Sequence, residues 1–362
     1  MQHVDGPSPA PGHAAVACDG MTDAACRADA LMRAHLGDTA HAPGASVLVV
    51  RDGTPLFRHS YGDADVEAGT AATPQTNYRL ASVSKQFTAA AILLLAEDGK
   101  LSLDDPVRKW LPSLPRSADA ITLHHLLTHT SGLVDYEDLM AADATAQVHD
   151  SDVLALLSKE SRLYFAPGSS YRYSNSGYAL LALIVGKASG MDYARFAHER
   201  IFMPLGMDDS VLYEQGISTV AHRAYGYSLV DGAWQRTDQS STSAVLGDGG
   251  VYSSIDDLAR WDAALYDDRL LSDASRALAF SAHTPTDEPD VDGYGYGWRI
   301  HGDTLWHSGE TIGFRNVIVR WPAQHVSVII LGNRNDPEPY PTALAIGRVF
   351  LADPGATGSG NP

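Results

Sequence analysis

Residues 78–99 read YRLASVSKQFTAAAILLLAEDG, and this stretch decides which fold we expect. Apolar side chains recur every three or four positions between Ser82 and Asp98, a pattern that predicts a helix with an apolar face. Gly99 fits the end of this helix, because glycine tolerates the left-handed backbone conformation. Ser82 and Lys85 are three positions apart, so the helix brings their side chains to one face. The sequence therefore predicts a buried helix whose first turn pairs a hydroxyl with an amine.

The middle of the chain is mostly helical in pattern, whereas strand-like segments lie towards both chain ends. Strands are predicted at 46–51, 55–61, 297–301, 304–307, 314–321 and 326–331. Further helices are predicted at 23–36, 104–110, 122–127, 151–159, 174–189, 193–200, 255–266 and 341–351. This order predicts an α/β (α+β) fold: an antiparallel sheet built from both chain ends and flanked by helices, with an all-helical lobe at about 100–250 inserted between them.

The composition is that of an acidic globular protein. Of the 362 residues, 44% are hydrophobic and 19% are charged, and the formal net charge is −18. An acidic surface repels nucleic-acid phosphates and anionic lipids, and no apolar run approaches the roughly 20 residues of a membrane helix. We therefore expect no nucleic-acid partner and no membrane insertion. We predict a disordered or linker segment at 1–22, one domain at 23–354 and a flexible tail at 355–362.

Cys18 and Cys26 are the two cysteines of the chain, and both lie near its start. Their even number and close spacing favour a disulfide over two free thiols. A disulfide fits an exported protein, so we expect a periplasmic or secreted location, with the cytoplasm as the alternative. The first residues lack the pattern of a secretory signal, which fits either a signal already removed or a cytoplasmic protein.

Two motifs point to nucleophilic chemistry. A serine hydroxyl is a poor nucleophile until a neighbour accepts its proton, and Lys85 can do so for Ser82 if burial or positive charge lowers the lysine pKa. The second motif is Tyr173-Ser174-Asn175, which opens the helix predicted at 174–189. Tyr173 is a candidate proton shuttle, and Asn175 has an amide for a substrate carbonyl and for Lys85.

A third motif, His307-Ser308-Gly309-Glu310, stands at the end of a predicted strand. His307 is a candidate for binding a carboxylate or assisting a proton relay. Gly309 removes a side chain where a substrate backbone would approach. The N–H groups of Ser82 and Glu310 are candidates for holding an oxyanion.

Each motif taken alone also has an ordinary structural interpretation. Ser82 would be a helix cap followed by a solvated lysine, Tyr173 a packed core residue and His307 a surface histidine. The histidines His124, His125 and His129 include a spacing seen in zinc sites, but no adjacent glutamate completes a metalloprotease motif, so we interpret them as structural. Four aromatic residues are candidates for lining a cleft, namely Tyr136, Tyr227, Trp298 and Trp306.

In this order the three motifs resemble those of the serine β-lactamase and penicillin-binding protein superfamily, in its class C-like branch. The resemblance runs from about Gly44 to Phe350. It includes the linking phrases YRLA (78–81), LLTHTSGL (126–133), GGVYS (249–253) and GF (313–314). Many matching phrases in one order are hard to explain by chance.

The resemblance implies a role for each motif. Ser82 would be the acylated nucleophile, Lys85 and Tyr173 the proton-relay pair, and Asn175 a substrate-orienting residue. The backbone N–H groups of Ser82 and Glu310 would form the oxyanion hole. His307, Ser308 and Gly309 would belong to the substrate-binding strand.

Two departures from the class C β-lactamase pattern bear on the expected activity. His307 and Ser308 stand where those enzymes usually carry lysine and threonine, and Tyr-Ser-Asn replaces their usual Tyr-Ala-Asn. We expect a serine hydrolase that acts through an acyl-enzyme on small-molecule or peptide substrates, at amide or ester bonds, with D-residues as one option. The alternatives are a class C-like β-lactamase and a non-catalytic penicillin-binding-like sensor or scaffold. No cofactor or metal is expected, and the oligomeric state is left open.

Overall fold

The computed structural model describes residue 18, residues 20–141 and residues 143–352. Most of the linker predicted at 1–22, and all of the tail predicted at 355–362, lie outside these described residues. The strands are β1 Ala45–Arg51, β2 Thr54–Tyr61, β3 Asp63–Asp65, β4 Thr70–Ala71, β5 Tyr78–Arg79, β6 Val211–Leu212, β7 Tyr227–Val230, β8 Ala233–Arg236, β9 Val251–Ser253, β10 Thr284–Pro285, β11 Gly293–Tyr294, β12 Arg299–His301, β13 Thr304–Thr311, β14 Phe314–Trp321 and β15 Val326–Gly332.

The α-helices of the described residues are α1 Asp23–Leu36, α2 Lys85–Glu97, α3 Val107–Trp110, α4 Leu123–Leu127, α5 Asp150–Leu157, α6 Asn175–Ser189, α7 Tyr193–Ala197, α8 Met203–Leu205, α9 Leu246–Gly249, α10 Ile255–Ala264, α11 Asp273–Ala279 and α12 Tyr340–Leu351. Short 3₁₀ helices lie at Ala81–Ser84, Arg116–Ala118, Tyr136–Leu139 and Pro322–Gln324, and a π-helical turn lies at His198–Phe202.

An eight-stranded antiparallel sheet in the order β10-β11-β12-β13-β14-β15-β1-β2 forms the framework. Its centre joins the two chain ends, because β1 near the start pairs with β15 near the end, with Val47 opposite Ile330. Alternate residues of β1 bury themselves on opposite faces, Val47 in the core under α1 and α12 and Leu48 in the core shared with α2. The predicted sheet from both chain ends, flanked by helices, is confirmed.

The inserted lobe is mainly helical, but it also contains short strands that the sequence interpretation missed. β6 pairs with β9, and β7 pairs with β8 in a hairpin. Asp231 and Gly232 connect β7 and β8 with φ angles of 50° and 78°. Two positive φ values in a two-residue loop are the signature of a tight hairpin turn, for which Asp-Gly is a favoured pair.

The central helix α2 is buried on all sides rather than on one face. Every residue from Lys85 to Leu95 is buried, because the helix packs against α6, α7 and α9 and shares a hydrophobic core with one face of the large sheet. It begins three residues later than predicted, since residues Ala81–Ser84 form a 3₁₀ helix instead. The start of the central helix is therefore a tight turn that carries Ser82 just ahead of Lys85.

Cys18 and Cys26 form the predicted disulfide, with their Cα atoms 5.4 Å apart. It ties the segment before α1 to the first turns of that helix. Among the described residues, the helices are all too short or too polar to cross a membrane.

Candidate active site

Ser82, Lys85 and Asn175 form one hydrogen-bonded group. Lys85 is fully buried, and its Nζ lies 3.0 Å from Ser82 Oγ, 2.9 Å from Asn175 Oδ1 and 2.8 Å from the carbonyl oxygen of Asp248. The Asn175 and Asp248 oxygens are acceptors, so each takes an N–H from the amine. The third hydrogen bond of Nζ is donated to Ser82 Oγ. The geometry therefore places the amine directly against the hydroxyl whose proton must be removed before Ser82 can attack.

The backbone before Ser82 is sharply turned. Ala81 has a φ of 48°, in the left-handed region that alanine rarely adopts. Such strain persists only where the surrounding structure holds it, and it often occurs at functional sites. Ser82 follows as the second residue of a 3₁₀ helix, where the first N–H groups have no carbonyl partner within the helix. This turn places both the hydroxyl and the N–H of Ser82 at the start of the helix.

Tyr173 lies against Lys85 with its ring rather than its hydroxyl. The Lys85 Nζ is 4.8 Å from the Tyr173 ring centroid, a cation–π distance. The Tyr173 hydroxyl is buried and has no hydrogen-bond partner in the described part of the chain. The rings of His129 and His307 lie 4.3 and 6.1 Å from the Tyr173 ring. The structure brings Tyr173 to the site, but a proton shuttle through its hydroxyl would require the side chain to move.

Asn175 is held from its other side by two acidic residues that the sequence analysis did not single out. Its backbone N–H donates to Asp135 Oδ2 at 3.4 Å, and its Nδ2 donates to Glu137 Oε1 at 3.3 Å. Asp135 also accepts from the Glu137 N–H at 3.1 Å and so fixes the turn that carries Glu137. Burial, followed by the neighbouring Asp135 carboxylate, raises the pKa of Glu137. Nothing in the local sequence marks Glu137 as a site residue.

Asp248 contributes a carbonyl oxygen to Lys85 and a carboxyl group to the same cleft. Tyr136 OH donates to Asp248 Oδ2 at 3.2 Å. Burial raises the pKa of the Asp248 carboxyl to about 7, with the Lys85 charge acting in the opposite direction. No motif in the sequence marks Asp248 as a site residue, although its setting between Gly247 and Gly249 is a signal for close packing. A Cβ on Gly247 would lie 2.2 Å from the Tyr178 carbonyl oxygen, so α9 fits against α6 only without one.

His307 lies within a longer strand than expected and is fully buried. Its Nδ1 is 2.6 Å from the Ser308 carbonyl oxygen, and its Nε2 is 3.0 Å from Tyr294 OH. A carbonyl only accepts, so Nδ1 carries the proton and Nε2 accepts from the tyrosine. Burial, aided by the charge of Arg299, lowers the pKa of His307 well below its usual range. His307 is thus a neutral group with both nitrogens engaged, which leaves neither nitrogen for the carboxylate contact expected from the sequence.

Arg299 of β12 supplies positive charge next to His307 and Ser308. Its Nη1 donates to Ser308 Oγ at 2.8 Å, and its Nη2 lies 3.4 Å from Glu288 Oε2. The guanidinium also lies 5.3 Å from the Tyr173 ring centroid. Ser308 is therefore oriented by the half-buried Arg299, a residue that no sequence motif had indicated.

Gly309 and Glu310 bring β13 to the turn that carries Ser82. A Cβ on Gly309 would lie 2.0 Å from the carbonyl oxygen of Leu80. The protein's own backbone thus makes a close approach that requires glycine, and the approach of a substrate backbone at this position stays a prediction. Glu310 follows on the strand with an exposed side chain and lines the same cleft as Ser82.

The cleft at Ser82 lies between the helical lobe and the sheet. Its lining residues are Arg79, Ala81, Ser82, Tyr136, Glu137, Asn175, Thr242, Asp248, Gly249, Glu310 and Thr311. Of the four aromatic candidates, Tyr136 lines it, and the other three do not. A larger cavity lies beside α5 and α6, lined in part by Tyr193 and Tyr213, but it holds no residue of the three motifs. We therefore identify the candidate active site by the presence of Ser82, although the other cavity is larger.

The three histidines at 124, 125 and 129 take separate partners. His124 Nδ1 lies 2.8 Å from Tyr296 OH, and His125 Nδ1 accepts from the Thr122 N–H at 3.2 Å. His129 Nδ1 accepts from the Ser174 N–H at 3.0 Å and so supports the start of α6. Among the residues that the structure describes, no group of three His, Cys, Asp or Glu side chains is arranged to hold a metal ion.

Known proteins are similar to this chain over most of its length. The Beta-lactamase family model matches residues 28–352 of the chain. The chain is 35% identical over 323 residues to "Penicillin-binding protein 4*" of Bacillus subtilis (strain 168), which covers 84% of this chain and 71% of that protein. The chain spans 60% of the length of further curated relatives at 30 to 31% identity.

Solved structures show the same architecture. A penicillin-binding protein from Bacillus halodurans has a TM-score of 0.77 at 28% identity, over 89% of this chain and 99% of that chain. A D-amino acid amidase from Ochrobactrum anthropi SV3 has a TM-score of 0.75 at 25% identity, over 90% of this chain and 98% of that chain. The chain therefore belongs to the Beta-lactamase family, and the resemblance to the serine β-lactamase and penicillin-binding protein superfamily is confirmed.

Proposed function

We propose that the protein is a serine hydrolase that acts through an acyl-enzyme on Ser82, at amide or ester bonds of peptides or amino-acid derivatives. The observation that carries the proposal is the hydrogen bond of 3.0 Å between Lys85 Nζ and Ser82 Oγ, made by an amine whose other partners are two acceptors. Similarity to a D-amino acid amidase and to penicillin-binding proteins supports a carbonyl substrate. D-residues in the acyl part are the option that these relatives favour.

The reaction follows from the placement of the groups. Ser82 Oγ attacks the carbonyl carbon while its proton passes to Lys85 Nζ. The oxyanion that forms is stabilised by the N–H groups of Ser82 and Glu310. The tetrahedral intermediate then expels the amine or alcohol, which takes the proton from Lys85. Water hydrolyses the Ser82 ester by the same steps, with Lys85 as base, and releases the acid.

The experiment is hydrolysis of p-nitrophenyl acetate, combined with the intact mass of the protein after mixing with an activated ester and with a penicillin. We expect ester turnover and a single acyl adduct that maps to Ser82, both lost in Ser82→Ala. The matched control is Ser84→Ala, because Ser84 is also a serine at the start of α2, and its Oγ accepts from the Val251 N–H rather than meeting Lys85. Turnover that survives Ser82→Ala would overturn the proposal.

The penicillin arm separates the two enzymatic alternatives. A lasting adduct indicates a penicillin-binding peptidase or amidase with slow deacylation. Rapid loss of the drug without an adduct indicates a class C-like β-lactamase. The replacement of lysine by the neutral His307 favours the first outcome. A non-catalytic sensor would show neither ester turnover nor acylation, and the intact contacts of Lys85 with Ser82 and Asn175 argue against it.

A further inference from the structure

The short helix α9 lies between the Ser82 cleft and the larger cavity beside α5 and α6. Asp248 and Gly249, at its end, line the cleft, whereas Leu246, its first residue, lines the cavity. The Asp248 carbonyl oxygen accepts from Lys85 Nζ at 2.8 Å. The position of this four-residue helix therefore helps to set the position of the amine at Ser82.

The sequence around α9 does not supply a local cap. Val245 stands at the N-cap position, and its apolar side chain cannot accept a hydrogen bond from the first turn. Instead Asp150, the first residue of α5, accepts from the Leu246 N–H at 2.9 Å and from the Gly247 N–H at 3.0 Å, one with each carboxylate oxygen. A helix of one turn is not stable on its own, so this distant carboxylate takes the place of the missing N-cap side chain.

A second hydrogen bond connects α9 to the central helix. Thr88 Oγ1 donates to the Gly247 carbonyl oxygen at 2.7 Å and lies 2.7 Å from Tyr193 OH. Thr88 stands three residues after Lys85 and so lies on the same side of α2. The helix that carries the amine and the turn that accepts from it are therefore joined at two points.

Asp150 is placed behind the site rather than in it. It is 8% exposed and lines the larger cavity instead of the Ser82 cleft. Without one of its carboxylate oxygens, an N–H of α9 would lose its acceptor, and the turn would have to move to find another. Such a movement would take the Asp248 carbonyl oxygen away from Lys85.

We propose that Asp150 is a positioning residue for the general base: through α9 it holds the Asp248 carbonyl oxygen against Lys85, and so it keeps the amine at Ser82. This role rests on the proposed acylation of Ser82. Acylation and deacylation both use Lys85 as the base, so loss of its position slows the two steps alike. Equal slowing of both steps lowers kcat and leaves KM unchanged, whereas damage to substrate binding raises KM.

The test is Asp150→Asn, measured as kcat and KM for p-nitrophenyl acetate. The amide keeps the size of the side chain and one acceptor oxygen, but its NH₂ group faces an N–H that the carboxylate had accepted. We expect kcat to fall about ten- to hundred-fold, as for a small misplacement of a catalytic group, with KM within about two-fold of the wild-type value.

The pH dependence separates this role from a general loss of structure. Burial raises the pKa of Asp150 to about 6, whereas hydrogen bonds from backbone N–H groups and the charge of His149 act in the opposite direction. The other titratable or charged groups around Asp150 are Asp248 on α9, Tyr193 on α7, and Lys187, Asp192 and Glu214, which line the same cavity.

Below about pH 6 the protonated carboxyl of Asp150, like the amide, presents a donor to one N–H of α9. The ratio of kcat between the wild-type protein and Asp150→Asn should therefore be largest above about pH 7 and approach one below about pH 5. Titrations that both proteins share cancel in this ratio.

The matched control is Asp257→Asn. Asp257 is also buried, at 4% exposure, and its carboxylate also accepts from the backbone of another segment, the N–H of Asp209 at 3.2 Å. Its side-chain partners, Ser210 and Arg260, lie outside the lining of the cleft. This variant should lose stability but keep kcat. An unchanged kcat in Asp150→Asn, an equal fall in Asp257→Asn, or a ratio that does not change with pH would overturn the inference.

Thr88→Val provides an independent test if Asp150→Asn does not fold. It removes the hydroxyl that donates to the Gly247 carbonyl oxygen and keeps the shape, whereas Thr88→Ser keeps the hydroxyl. We expect kcat of the valine variant to lie about ten-fold or more below that of the serine variant. Equal values would show that the position of α9 does not control Lys85, which overturns the inference.

Failure of the inference is distinguishable from failure of the proposed function. Ser82-dependent turnover with an unchanged kcat in Asp150→Asn overturns the role of Asp150 and leaves the acyl-enzyme standing. Turnover that survives Ser82→Ala overturns both.

Discussion

The two sides of the cleft are built on different principles. On the helical side, Lys85, Ser82 and Asn175 are joined by side-chain hydrogen bonds of 2.9 to 3.0 Å. On the strand side, His307 is buried with both nitrogens engaged, and Gly309 touches the Leu80 backbone. The helical side therefore concentrates polar side chains that can move protons, whereas the strand side contributes backbone placed by tight packing.

Because of this difference, substitutions on the two sides of the cleft should act in different ways. A side-chain network fails when one donor is removed, because its partners are left unsatisfied in a buried place. A packed strand fails when an atom is added, because the backbone has no room to accept it. Substitutions on the helical side should therefore mainly lower the catalytic rate. Substitutions on the strand side should mainly lower the stability of the fold and displace Ser82.

The largest expected effect is the loss of the amine on the helical side. Lys85→Met keeps the length and burial of the side chain but removes the proton acceptor of Ser82. General-base catalysis contributes about 10²- to 10⁴-fold, so we expect kcat for an activated ester to fall by that factor. Stopped-flow measurement of the acylation burst reports this step directly.

The control for this variant is Lys100→Met, since Lys100 is exposed at the end of the central helix region. It should leave the burst within about two-fold, as expected for a surface substitution. An unchanged burst in Lys85→Met would show that another group accepts the serine proton, with Tyr173 as the candidate after a side-chain movement.

The same contrast shows what could be predicted from the sequence. Ser82 and Lys85 were predictable because residues three apart on a helix are neighbours whatever the rest of the fold does. Glu137 and Asp248 were not, because they approach Lys85 and Asn175 from distant segments. The Asp248 carbonyl, for example, contacts a residue 163 positions away. The contact of Gly309 with Leu80 was not predictable either, because it exists only once the strand and the turn have come together.

In the fold, the sheet and its flanking helices were predictable from the periodic spacing of apolar residues, because the same residues form the packed core. The β7–β8 hairpin was missed although Asp231-Gly232 is a turn signal, because its strands are only four residues long and show no regular alternation of apolar and polar residues. The boundary of α2 was displaced because the strained turn at Ala81 is held by tertiary contacts rather than by local preference.

The next largest effect tests the strand side. In Gly309→Ala the new methyl group would lie 2.0 Å from the Leu80 carbonyl oxygen, so the strand or the turn must shift. We expect a loss of about 3 kcal/mol in the free energy of unfolding, at the upper end for overpacking, because the obstructing atom belongs to the backbone. Urea unfolding measures this loss, and ester turnover should fall with it as Ser82 is displaced.

Gly186→Ala is the matched control, because Gly186 lies in α6 and the nearest atom to a new Cβ is 3.4 Å away, an ordinary contact. Alanine should there stabilise the protein by about 0.5–1 kcal/mol through helix propensity. Equal stability of Gly309→Ala and the wild-type protein would contradict the close packing of β13 against the Ser82 turn.

The smallest expected effect is a change in the pH dependence of stability. It comes from Asp248, a buried carboxyl group on the helical side. Its pKa is raised from 3.8 to about 7, mainly by burial, so between these values the folded protein holds a proton that the unfolded chain has lost. The stability contributed by this proton is fully present below pH 3.8 and is lost as the pH rises through about 7. In Asp248→Asn the group no longer titrates, so this loss disappears.

The measurement is the free energy of unfolding of both proteins at several pH values across that window. Relative to the variant, the wild-type protein should lose about 1–2 kcal/mol as the pH rises, less than the full shift implies, because the structure relaxes and water penetrates around a buried group when it ionises. Asp273→Asn, whose side chain is 93% exposed, should track the wild-type protein at every pH. If Asp248→Asn also tracks it, the carboxyl group titrates alike in both states. The cost of burial is then offset by the neighbouring cations, and the helical side is electrostatically balanced rather than strained.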